Sequence, residues 1–393
     1  MRIAFVSYEF PPDTAIGGIG TYVVQICQLL RERNIAVDVF CGSHLREGST
    51  KIFNGVDVHY IKCDSREMFN LHVTQKIREI NGKTPISLLE ASEYGTKGLV
   101  LKEEFPEIPL VVKLHTAAFL IKKLNNYYRA GQFKYRLKRL LNIKYDYEKD
   151  NEYLFTLKAD AISSPSTSLK EITEHTWHIP PQKIHHVPNP FTPNPDFLAI
   201  PSNTENNRFG YFGRLETRKG VFNLGKAIPL ILQSVENSEC WLIGADSRGP
   251  HGEKSMKKVL QKLIKGYEHR VKFINHVPLN EIPTLMSQLD VCIYPSLWEN
   301  FPNVCLEAMT AARGIVASRE GGMYDMLKDI DGGILIDPHK VEEIAGAAVE
   351  LLKDPERRRE MGDRARNKIL TYYAPKIMDE TISFYSGTLK NSK

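Results

Sequence analysis

The sequence predicts an α/β fold of two domains, each built on a parallel β-sheet covered by helices. The chain has 393 residues, which favours two domains because a single hydrophobic core rarely grows beyond about 250 to 300 residues. Short β-rich runs alternate with helix-length segments along the chain, and this alternation is typical of parallel sheets. Prolines cluster near the middle, between two such series, so a domain boundary is predicted there.

Predicted strands and helices alternate from the start of the chain. Arg2–Ser7 predicts a strand, Gly20–Arg33 carries apolar residues at helical spacing, and Ala36–Cys41 predicts a second strand. Further strands are predicted at Pro109–Leu114, Ala159–Ser164, Arg208–Phe212, Cys240–Ile243, Val271–Ile274, Val291–Tyr294 and Gly314–Ser318. Ligands of open α/β sheets bind at the carboxyl ends of the strands, so the loops that follow these strands are the candidates for function.

The predicted boundary lies near residues 180–206. Seven of the 22 prolines fall there, followed by a polar run from Ser202 to Asn207. Because proline disrupts regular structure and polar runs bury little surface, this segment is predicted to be an interdomain linker. The predicted domains are residues 1–195 and 206–371.

Composition excludes several classes of protein. The apolar fraction of 42% and the charged fraction of 25% are those of a globular chain. The net charge of +5 is too small for nucleic acid to be the expected partner. The six cysteines contain no CxxC pair, which argues against a zinc site or a disulfide framework and indicates a reducing compartment. No signal peptide precedes the first strand, and the longest uncharged stretch, Thr14–Leu30, is too polar to span a bilayer, so we expect a cytoplasmic protein.

The most informative segment follows the predicted strand Val291–Tyr294. A loop with Glu299 leads to Pro302, a residue favoured at the first turn of a helix, and Glu307 lies within that helix. Both carboxylates could accept hydrogen bonds from sugar hydroxyls. Alternatively, Glu299 is a solvated loop charge and Glu307 only favours the helix. Amides at the helix N-terminus would suit a phosphate, namely those of Asn303, Val304 and Cys305.

A glycine-flanked turn follows the predicted strand Arg208–Phe212. It runs from Gly213 to Gly220 and carries Arg214 and Lys219. Glycine lets the backbone approach a ligand closely, and a guanidinium matches phosphate oxygens. Each cation could contribute roughly 4 kcal/mol at 4 Å from a diphosphate charge, at an effective dielectric of about 20. The alternative is an exposed basic turn.

A third glycine-rich segment enters the first predicted helix. Gly18 and Gly20 begin a dinucleotide fingerprint, but Val23 stands where its third glycine belongs. A loop closing over a phosphate at Gly17 and Gly18 is therefore expected. A dinucleotide-dependent oxidoreductase is the rival hypothesis, which bound nicotinamide or flavin absorbance would support.

Other candidates lie near predicted strand ends. His115 ends the predicted strand Pro109–Leu114, while Glu90 and Glu93 form an acidic pair upstream. A structural role is the alternative for all three. Asp329 and Asp331 have the spacing of a metal motif, but two glycines follow them, so they predict a turn rather than a metal site.

Residues 120–145 carry eight Lys or Arg and no Asp or Glu, with apolar residues at helical spacing. This pattern predicts an amphipathic helix that lies on an anionic membrane or meets an anionic acceptor. The alternative is a helix packed on its own domain with a solvated basic face. The candidate contacts are Arg136, Lys138 and Arg139.

Taken in order, these motifs resemble those of the retaining family 4 glycosyltransferases of the GT-B fold. The matching residues extend over nearly the whole chain: Gly17, Gly18, His115, Val187–Pro190, Gly213, Arg214, Lys219, Gly220, Gly244, Pro295, Ser296, Glu299, Glu307, Gly321 and Gly322. The resemblance implies two Rossmann-like domains whose parallel sheets face a deep cleft. It also implies an acceptor-binding first domain, a donor-binding second domain, and residues 372–393 crossing back to the first.

The resemblance further implies roles for single residues. Arg214 and Lys219 would hold the diphosphate of a nucleotide sugar, Glu299 the sugar hydroxyls and Glu307 the ribose. His115 would lie beside the donor sugar at the reaction centre. Contacts with phosphate or sugar are implied for Gly17, Gly18, Gly213, Gly244, Asn303, Val304 and Cys305.

The implied activity is retaining transfer of a hexose-type sugar from a nucleotide-diphosphate sugar, with UDP favoured over GDP. The acceptor would be a hydroxyl of a saccharide or lipid-linked molecule in cell-surface polysaccharide or glycoconjugate synthesis. No cofactor or metal is implied, and a peripheral contact with the inner face of the membrane is expected. The alternatives are an inactive partner subunit that binds nucleotide sugars, and a metal-dependent transferase of the GT-A fold.

Overall fold

A computed structural model of the chain describes residues 1–14, 17–52, 55–125, 145–373 and 375–391. Within these residues the chain forms two compact units. The first contains residues 1–121, 145–192 and 375–391, and the second contains residues 122–125 and 193–373. Each unit has its own β-sheet with helices packed against it.

The sheet of the first unit has eight strands. They are β1 (Arg2–Ser7), β2 (Ala36–Ser43), β3 (Gly48–Ile52), β4 (Val56–Lys62), β5 (Leu88–Ser92), β6 (Leu110–Lys113), β7 (Ala161–Ser164) and β8 (Ile184–His186). Their order is β3-β4-β2-β1-β5-β6-β7-β8. All neighbours are parallel except β3 and β4, which are antiparallel at the edge.

Six helices lie before residue 193 in the described part of the chain. They are α1 (Gly18–Glu32), α2 (Arg66–Lys83), α3 (Leu101–Glu104), α4 (Ala118–Asn125), α5 (Asn151–Leu157) and α6 (Thr167–Trp177). Short 3₁₀ turns occupy Tyr147–Lys149 and Pro181–Lys183.

The sheet of the second unit is entirely parallel. Its strands are β9 (Arg208–Phe212), β10 (Glu239–Ile243), β11 (Val271–Ile274), β12 (Val291–Tyr294), β13 (Gly314–Ser318) and β14 (Ile334–Ile336). Their order is β11-β10-β9-β12-β13-β14. This is the 3-2-1-4-5-6 order of a dinucleotide-type α/β sheet.

Nine further helices lie among the described residues from 193 onward. They are α7 (Pro195–Leu198), α8 (Val221–Ser234), α9 (Met256–Leu263), α10 (Ile282–Met286), α11 (Asn303–Thr310), α12 (Gly322–Leu327), α13 (Val341–Lys353), α14 (Pro355–Lys368) and α15 (Lys376–Asn391). The residues Ile369–Tyr373 form a π-helical turn, and 3₁₀ turns occupy Thr217–Lys219, Pro250–Gly252, Glu268–Arg270 and Leu279–Glu281. None of the helices in the described ranges is long and apolar enough to cross a membrane.

The last helix, α15, belongs to the first unit. Its residues Met378 and Tyr385 lie in the same buried apolar cluster as Ile3 and Phe5 of β1 and Ile26 of α1. The end of the chain is therefore part of the core around the first sheet.

The predicted α/β class with two parallel sheets is confirmed. One part of the linker prediction is wrong, because Ile184–His186 forms strand β8 within the segment 180–206. Regular structure is possible there because the prolines flank the strand rather than occupy it. Asp331 lies at a turn with a φ of 45° and pairs with Arg364.

Candidate active site

The second sheet places two loops side by side at the point where its strand order reverses. β9 and β12 are neighbours at the centre of the sheet, and the loops that follow them are residues 213–220 and 295–302. The amide of Leu297 donates to the carbonyl of Arg218 at 2.9 Å, which joins the two loops. Ligands of parallel sheets bind at such a reversal, so these loops form the candidate site of the second unit.

Two glycines fix the loop that carries Glu299. Gly220 has a φ of 68° and Gly321 a φ of 88°, a region that glycine adopts without steric cost. A Cβ atom at Gly220 would overlap the carbonyl oxygen of Pro295, and one at Gly321 would overlap that of Glu299. A larger residue at either position would therefore displace this loop.

The predicted binding glycines Gly213 and Gly244 follow β9 and β10 directly. A Cβ atom at Gly244 would overlap the carbonyl oxygen of Gly213, and the Gly213 amide donates to the Ile243 carbonyl at 2.9 Å. Gly244 thus allows two adjacent loops to touch, and the contact of either glycine with a ligand stays a prediction.

The carboxylate of Glu299 pairs with two cations of the neighbouring loop. Its Oε1 atom lies 2.5 Å from Nζ of Lys219 and accepts a 2.8 Å hydrogen bond from Nη1 of Arg218. Burial raises the pKa of Glu299, but Lys219 and Arg218 together lower it by more, so the pKa lies below its ordinary value. Glu299 is therefore a buried anion held between two cations, not the solvated loop charge of the alternative interpretation.

Arg218 is a site residue that the sequence analysis missed. Its Nη2 atom donates to Oε1 of Glu216 at 2.8 Å, and Nη2 of Arg214 lies 3.5 Å from the same oxygen. The Arg214 side chain is 66% exposed, where a ligand phosphate can reach it. The signal for Arg218 in the sequence is its place beside Lys219 in the glycine-flanked turn.

Helix α11 starts directly after the loop with Glu299. Pro302 is its N-cap, one residue before the helix rather than inside it. The amide of Cys305 donates to the Pro302 carbonyl at 3.0 Å, so the prediction of a free amide at Cys305 is wrong because the first turn closes on its own cap. The amides of Asn303 and Val304 donate to no acceptor in the described part of the chain.

Glu307 is the fifth of the eight residues of α11 and is partly buried. Its carboxylate makes no hydrogen bond or ion pair with any residue that the structure describes. Burial raises the pKa of Glu307 to about 7. A half-buried carboxyl group without an internal partner is suited to a ligand that donates hydrogen bonds.

His115 lies two residues beyond β6, at the carboxyl end of the first sheet. Its amide donates to both carboxylate oxygens of Glu93 at 2.9 Å, and its ring meets that of Tyr22 edge-on with centroids 5.3 Å apart. Burial lowers the pKa of His115 to about 3, and the charge of Lys113 adds to this effect. The imidazole is therefore neutral near pH 7, with one ring nitrogen able to donate and the other to accept.

The glycine pair at the start of α1 lies beside an acidic side chain. A Cβ atom at Gly17 would lie 2.7 Å from Oε2 of Glu9, whereas none of the described atoms would lie within 4 Å of one at Gly18. Glu9 forms a 2.7 Å ion pair with Arg66, and neither residue was singled out from the sequence. The position of Glu9 two residues after β1 is the signal that could have found it.

Of the two roles predicted for Glu90 and Glu93, contact with a membrane is disfavoured by their burial, and contact with an acceptor stays a prediction. Glu90 is 3% exposed and Glu93 is 1% exposed, so neither presents its carboxylate to a membrane. Glu90 accepts hydrogen bonds from the hydroxyls of Tyr22 at 2.8 Å and Tyr385 at 2.6 Å. Both carboxylates are satisfied inside the first unit instead. The other predicted membrane or acceptor contacts, Arg136, Lys138 and Arg139, lie outside the described residues.

Two family models match the chain in succession. The one described as Glycosyltransferase Family 4 matches residues 16–194, and the one described as Glycosyl transferases group 1 matches residues 196–368. The two matches adjoin and together extend over most of the chain. The second match includes every predicted site residue of the second unit.

Several curated relatives match this chain almost end to end. An uncharacterized glycosyltransferase of Methanocaldococcus jannaschii is 25% identical, with 98% of each chain covered. Alpha-maltose-1-phosphate synthase of Mycolicibacterium smegmatis is 24% identical, with 98% of this chain and 99% of the relative covered. D-inositol 3-phosphate glycosyltransferase of Corynebacterium diphtheriae is 24% identical, with 92% of this chain and 89% of the relative covered.

Solved structures show the same fold. Sucrose-phosphate synthase of Thermosynechococcus elongatus superposes with a TM-score of 0.73 at 17% identity, and all of both chains is covered. Anabaena HepE, solved in complex with UDP, superposes with a TM-score of 0.68 at 20% identity, covering 99% of this chain and 100% of HepE.

Proposed function

Because the chain belongs to the family 4 glycosyltransferases and has their GT-B fold, we propose that it transfers a hexose-type sugar from a nucleotide-diphosphate sugar to an acceptor hydroxyl, with retention of the anomeric configuration. In this proposal the domain at residues 206–371 binds the donor. The domain at residues 1–195, together with the returning segment 372–393, binds the acceptor.

The observation that carries the proposal is the pairing of Glu299 with Lys219 and Arg218 at the strand reversal of the second sheet. A sugar nucleotide presents hydroxyl groups beside a diphosphate, so its site needs a hydrogen-bond acceptor and cations a few ångströms apart. Glu299 supplies the acceptor, and Lys219 with the exposed Arg214 supplies the cations. Charge-assisted hydrogen bonds to phosphate are among the strongest that proteins make.

Glu307 and the start of α11 complete the donor site in this proposal. The carboxylate of Glu307 would accept hydrogen bonds from the ribose hydroxyls, since it has no partner among the described residues. The amides of Asn303 and Val304 would donate to a phosphate or to the sugar, as the N-terminus of a helix favours anions.

The proposed chemistry uses no nucleophile from the protein. The acceptor oxygen attacks the anomeric carbon on the face from which the diphosphate leaves, through an oxocarbenium-like state. The bond from this carbon to the diphosphate oxygen breaks, and the acceptor proton passes to that oxygen. Lys219 and Arg214 would stabilise the charge of the leaving group, so catalysis consists of positioning and electrostatics without a metal ion.

A UDP-sugar is the favoured donor, with a GDP-sugar next. The structural likeness to HepE, which was solved with UDP and with UDP-glucose, supports this order. The acceptor would be a saccharide or a lipid-linked molecule in cell-surface polysaccharide or glycoconjugate synthesis. His115, with Gly17 and Gly18, would lie beside the reacting sugar in this arrangement. A peripheral membrane contact through residues 120–145 stays a prediction.

The test is a thermal-shift panel of UDP, GDP, ADP, UDP-glucose, GDP-mannose and ADP-glucose, with and without EDTA. A ligand at 100 times its dissociation constant adds about 2.7 kcal/mol of apparent stability. We expect one nucleotide family to raise the melting temperature and EDTA to leave that rise unchanged. No stabilisation by any nucleotide would overturn the proposal, and a rise that EDTA abolishes would overturn its metal independence.

Matched variants connect the result to the site. Lys219→Ala should abolish the nucleotide-dependent rise in melting temperature. Lys340→Ala should retain it, because Lys340 precedes α13 and forms an exposed ion pair with Glu343 of that helix. Hydrolysis or transfer of the bound donor sugar then separates an enzyme from an inactive nucleotide-sugar-binding subunit.

A further inference from the structure

Arg218 bridges Glu299 and Glu216 in the candidate site of the second unit. Its Nη1 atom donates to Glu299 and its Nη2 atom to Glu216, each at 2.8 Å. The Arg218 side chain is 17% exposed, and both of its partners are buried at least as deeply. A guanidinium stays charged and presents its donors in a rigid planar fork, so Arg218 is fixed at two points while it holds Glu299.

Lys219 uses the same oxygen of Glu299 at 2.5 Å. A single carboxylate oxygen therefore serves two cations. A bound diphosphate would compete for Lys219, whose ammonium group sits on a flexible stem and can turn toward it. If Lys219 were the sole partner of Glu299, that movement would leave a buried anion without a counter-charge, which is costly. With Arg218 present, the counter-charge stays in place.

We propose that Arg218 is a positioning residue: it keeps Glu299 paired and oriented toward the donor sugar, and so releases Lys219 for the diphosphate. The inference rests on the proposed function and assigns a different role to each of the two adjacent cations: Lys219 binds the diphosphate, and Arg218 holds Glu299. The second oxygen of Glu299, Oε2, accepts no hydrogen bond from the described residues, and it is the atom left for a sugar hydroxyl. Glu299 in turn raises the pKa of Arg218, in keeping with a strong mutual pairing.

The proposal predicts that loss of the Arg218 guanidinium weakens binding of a nucleotide sugar but not of the bare nucleotide. Isothermal titration would measure the affinities of wild type, Arg218→Gln, Glu299→Gln and the double variant for UDP and for UDP-glucose. If another pair, GDP with GDP-mannose or ADP with ADP-glucose, binds the wild type instead, that pair is the probe. We expect Arg218→Gln to lower the affinity for the nucleotide sugar about tenfold while changing that for the bare nucleotide less than about threefold.

The double variant tests whether Arg218 acts through Glu299. We expect Arg218→Gln with Glu299→Gln to bind the nucleotide sugar within about twofold of Glu299→Gln alone, because interacting residues are not additive. Additive losses, or equal losses for nucleotide and nucleotide sugar, would overturn the positioning role.

Two further measurements separate this result from other causes. Arg208→Gln is the control for removal of a partly buried arginine from the same unit, since Arg208 pairs with Glu239 at 2.9 Å, and it should leave both affinities unchanged. A wild-type chain that binds no nucleotide would overturn the proposed function and this inference with it. A wild type that binds, with additive variants, would overturn this inference alone.

Discussion

The hydroxyl of Tyr385 donates a 2.6 Å hydrogen bond to Glu90, although 295 residues separate the two in sequence. Tyr385 belongs to α15 at the end of the chain, and Glu90 lies in β5 at the centre of the first sheet. Tyr22 donates to the other carboxylate oxygen, and the Lys113 ammonium lies 5.3 Å from the centre of the Tyr22 ring. A buried carboxyl group thus ties the last helix to the sheet beside His115.

Removal of this hydroxyl should destabilise the first unit. Tyr385→Phe keeps the ring in its apolar contacts but leaves one oxygen of a buried carboxyl group without a donor. A buried polar group that loses its hydrogen-bond partner costs roughly 1 to 3 kcal/mol, so we expect the free energy of unfolding in urea to fall by about 2 kcal/mol.

Tyr60→Phe is the matched control for that variant. The Tyr60 ring is also buried, but its hydroxyl accepts a longer bond of 3.3 Å from Arg46, whose side chain is half-exposed. Its removal should cost about 0.5 kcal/mol or less. Equal losses in the two variants would show that the bond from Tyr385 to Glu90 contributes no particular stability.

Glu93 should make the stability of the fold depend on pH. Burial raises the pKa of Glu93 from 4.5 to about 8, and the nearby Glu152 adds to the rise. The folded state therefore holds a proton that the unfolded state releases above about pH 4.5. The stabilising contribution is complete below that pH and is lost as the pH rises toward 8.

Glu93→Gln isolates this effect because it mimics the protonated side chain at every pH. The stability of wild type relative to Glu93→Gln should decrease by about 1 kcal/mol per pH unit between pH 5 and pH 7. Groups with opposite pH dependence, such as His115 and Lys113, cancel in the comparison. A difference that stays constant over this range would contradict a raised pKa at Glu93.

The meeting of Lys219 and Glu299 could be predicted from the sequence. Each residue follows a short apolar strand, and the loops after two central parallel strands meet at one edge of the sheet. The direction of neighbouring side chains could not be predicted. Arg218, Lys219 and Arg214 lie in one turn, and only the 3₁₀ conformation of Thr217–Lys219 shows that Arg218 reaches across 81 residues to Glu299.

In the first unit, the burial of Glu90 and the presence of strands β5 and β8 could not be predicted from the sequence pattern. A glutamate in a short apolar segment suggests a surface position, since isolated carboxylates are rarely buried. Glu90 is buried because two tyrosines supply donors, one of them from the far end of the chain. Strand β5 was missed because this glutamate interrupts its apolar run, and β8 because it has three residues between prolines.

Gly220→Ala should damage both stability and ligand binding. The added Cβ atom would overlap the carbonyl oxygen of Pro295, and the φ of 68° is strained for alanine. We expect a loss of at least about 2 kcal/mol in the free energy of unfolding, together with loss of stabilisation by the nucleotide, because the loop that carries Glu299 must move.

Gly346→Ala is the opposite case in the same unit. Gly346 lies inside helix α13, and beyond the backbone of its own helical turns a Cβ atom there would meet no described atom within 4 Å. Alanine should therefore stabilise the helix by about 0.5 to 1 kcal/mol. If Gly220→Ala unfolds at the same urea concentration as wild type, the loop that carries Glu299 tolerates a Cβ atom at position 220, contrary to this prediction.

The carboxyl group of Glu307 should couple donor binding to pH. Burial raises its pKa to about 7, and hydrogen bonds from ribose hydroxyls would favour the ionised form and lower the pKa in the complex. Binding then requires loss of a proton below pH 7, so the affinity for a nucleotide sugar should rise about tenfold from pH 6 to pH 8, mostly below pH 7. Isothermal titration with UDP-glucose suits this measurement, because its diphosphate does not titrate in that range. Glu307→Gln should bind more weakly at pH 8 and show a flat profile, whereas an unchanged slope in Glu307→Gln would assign the pH dependence to another group.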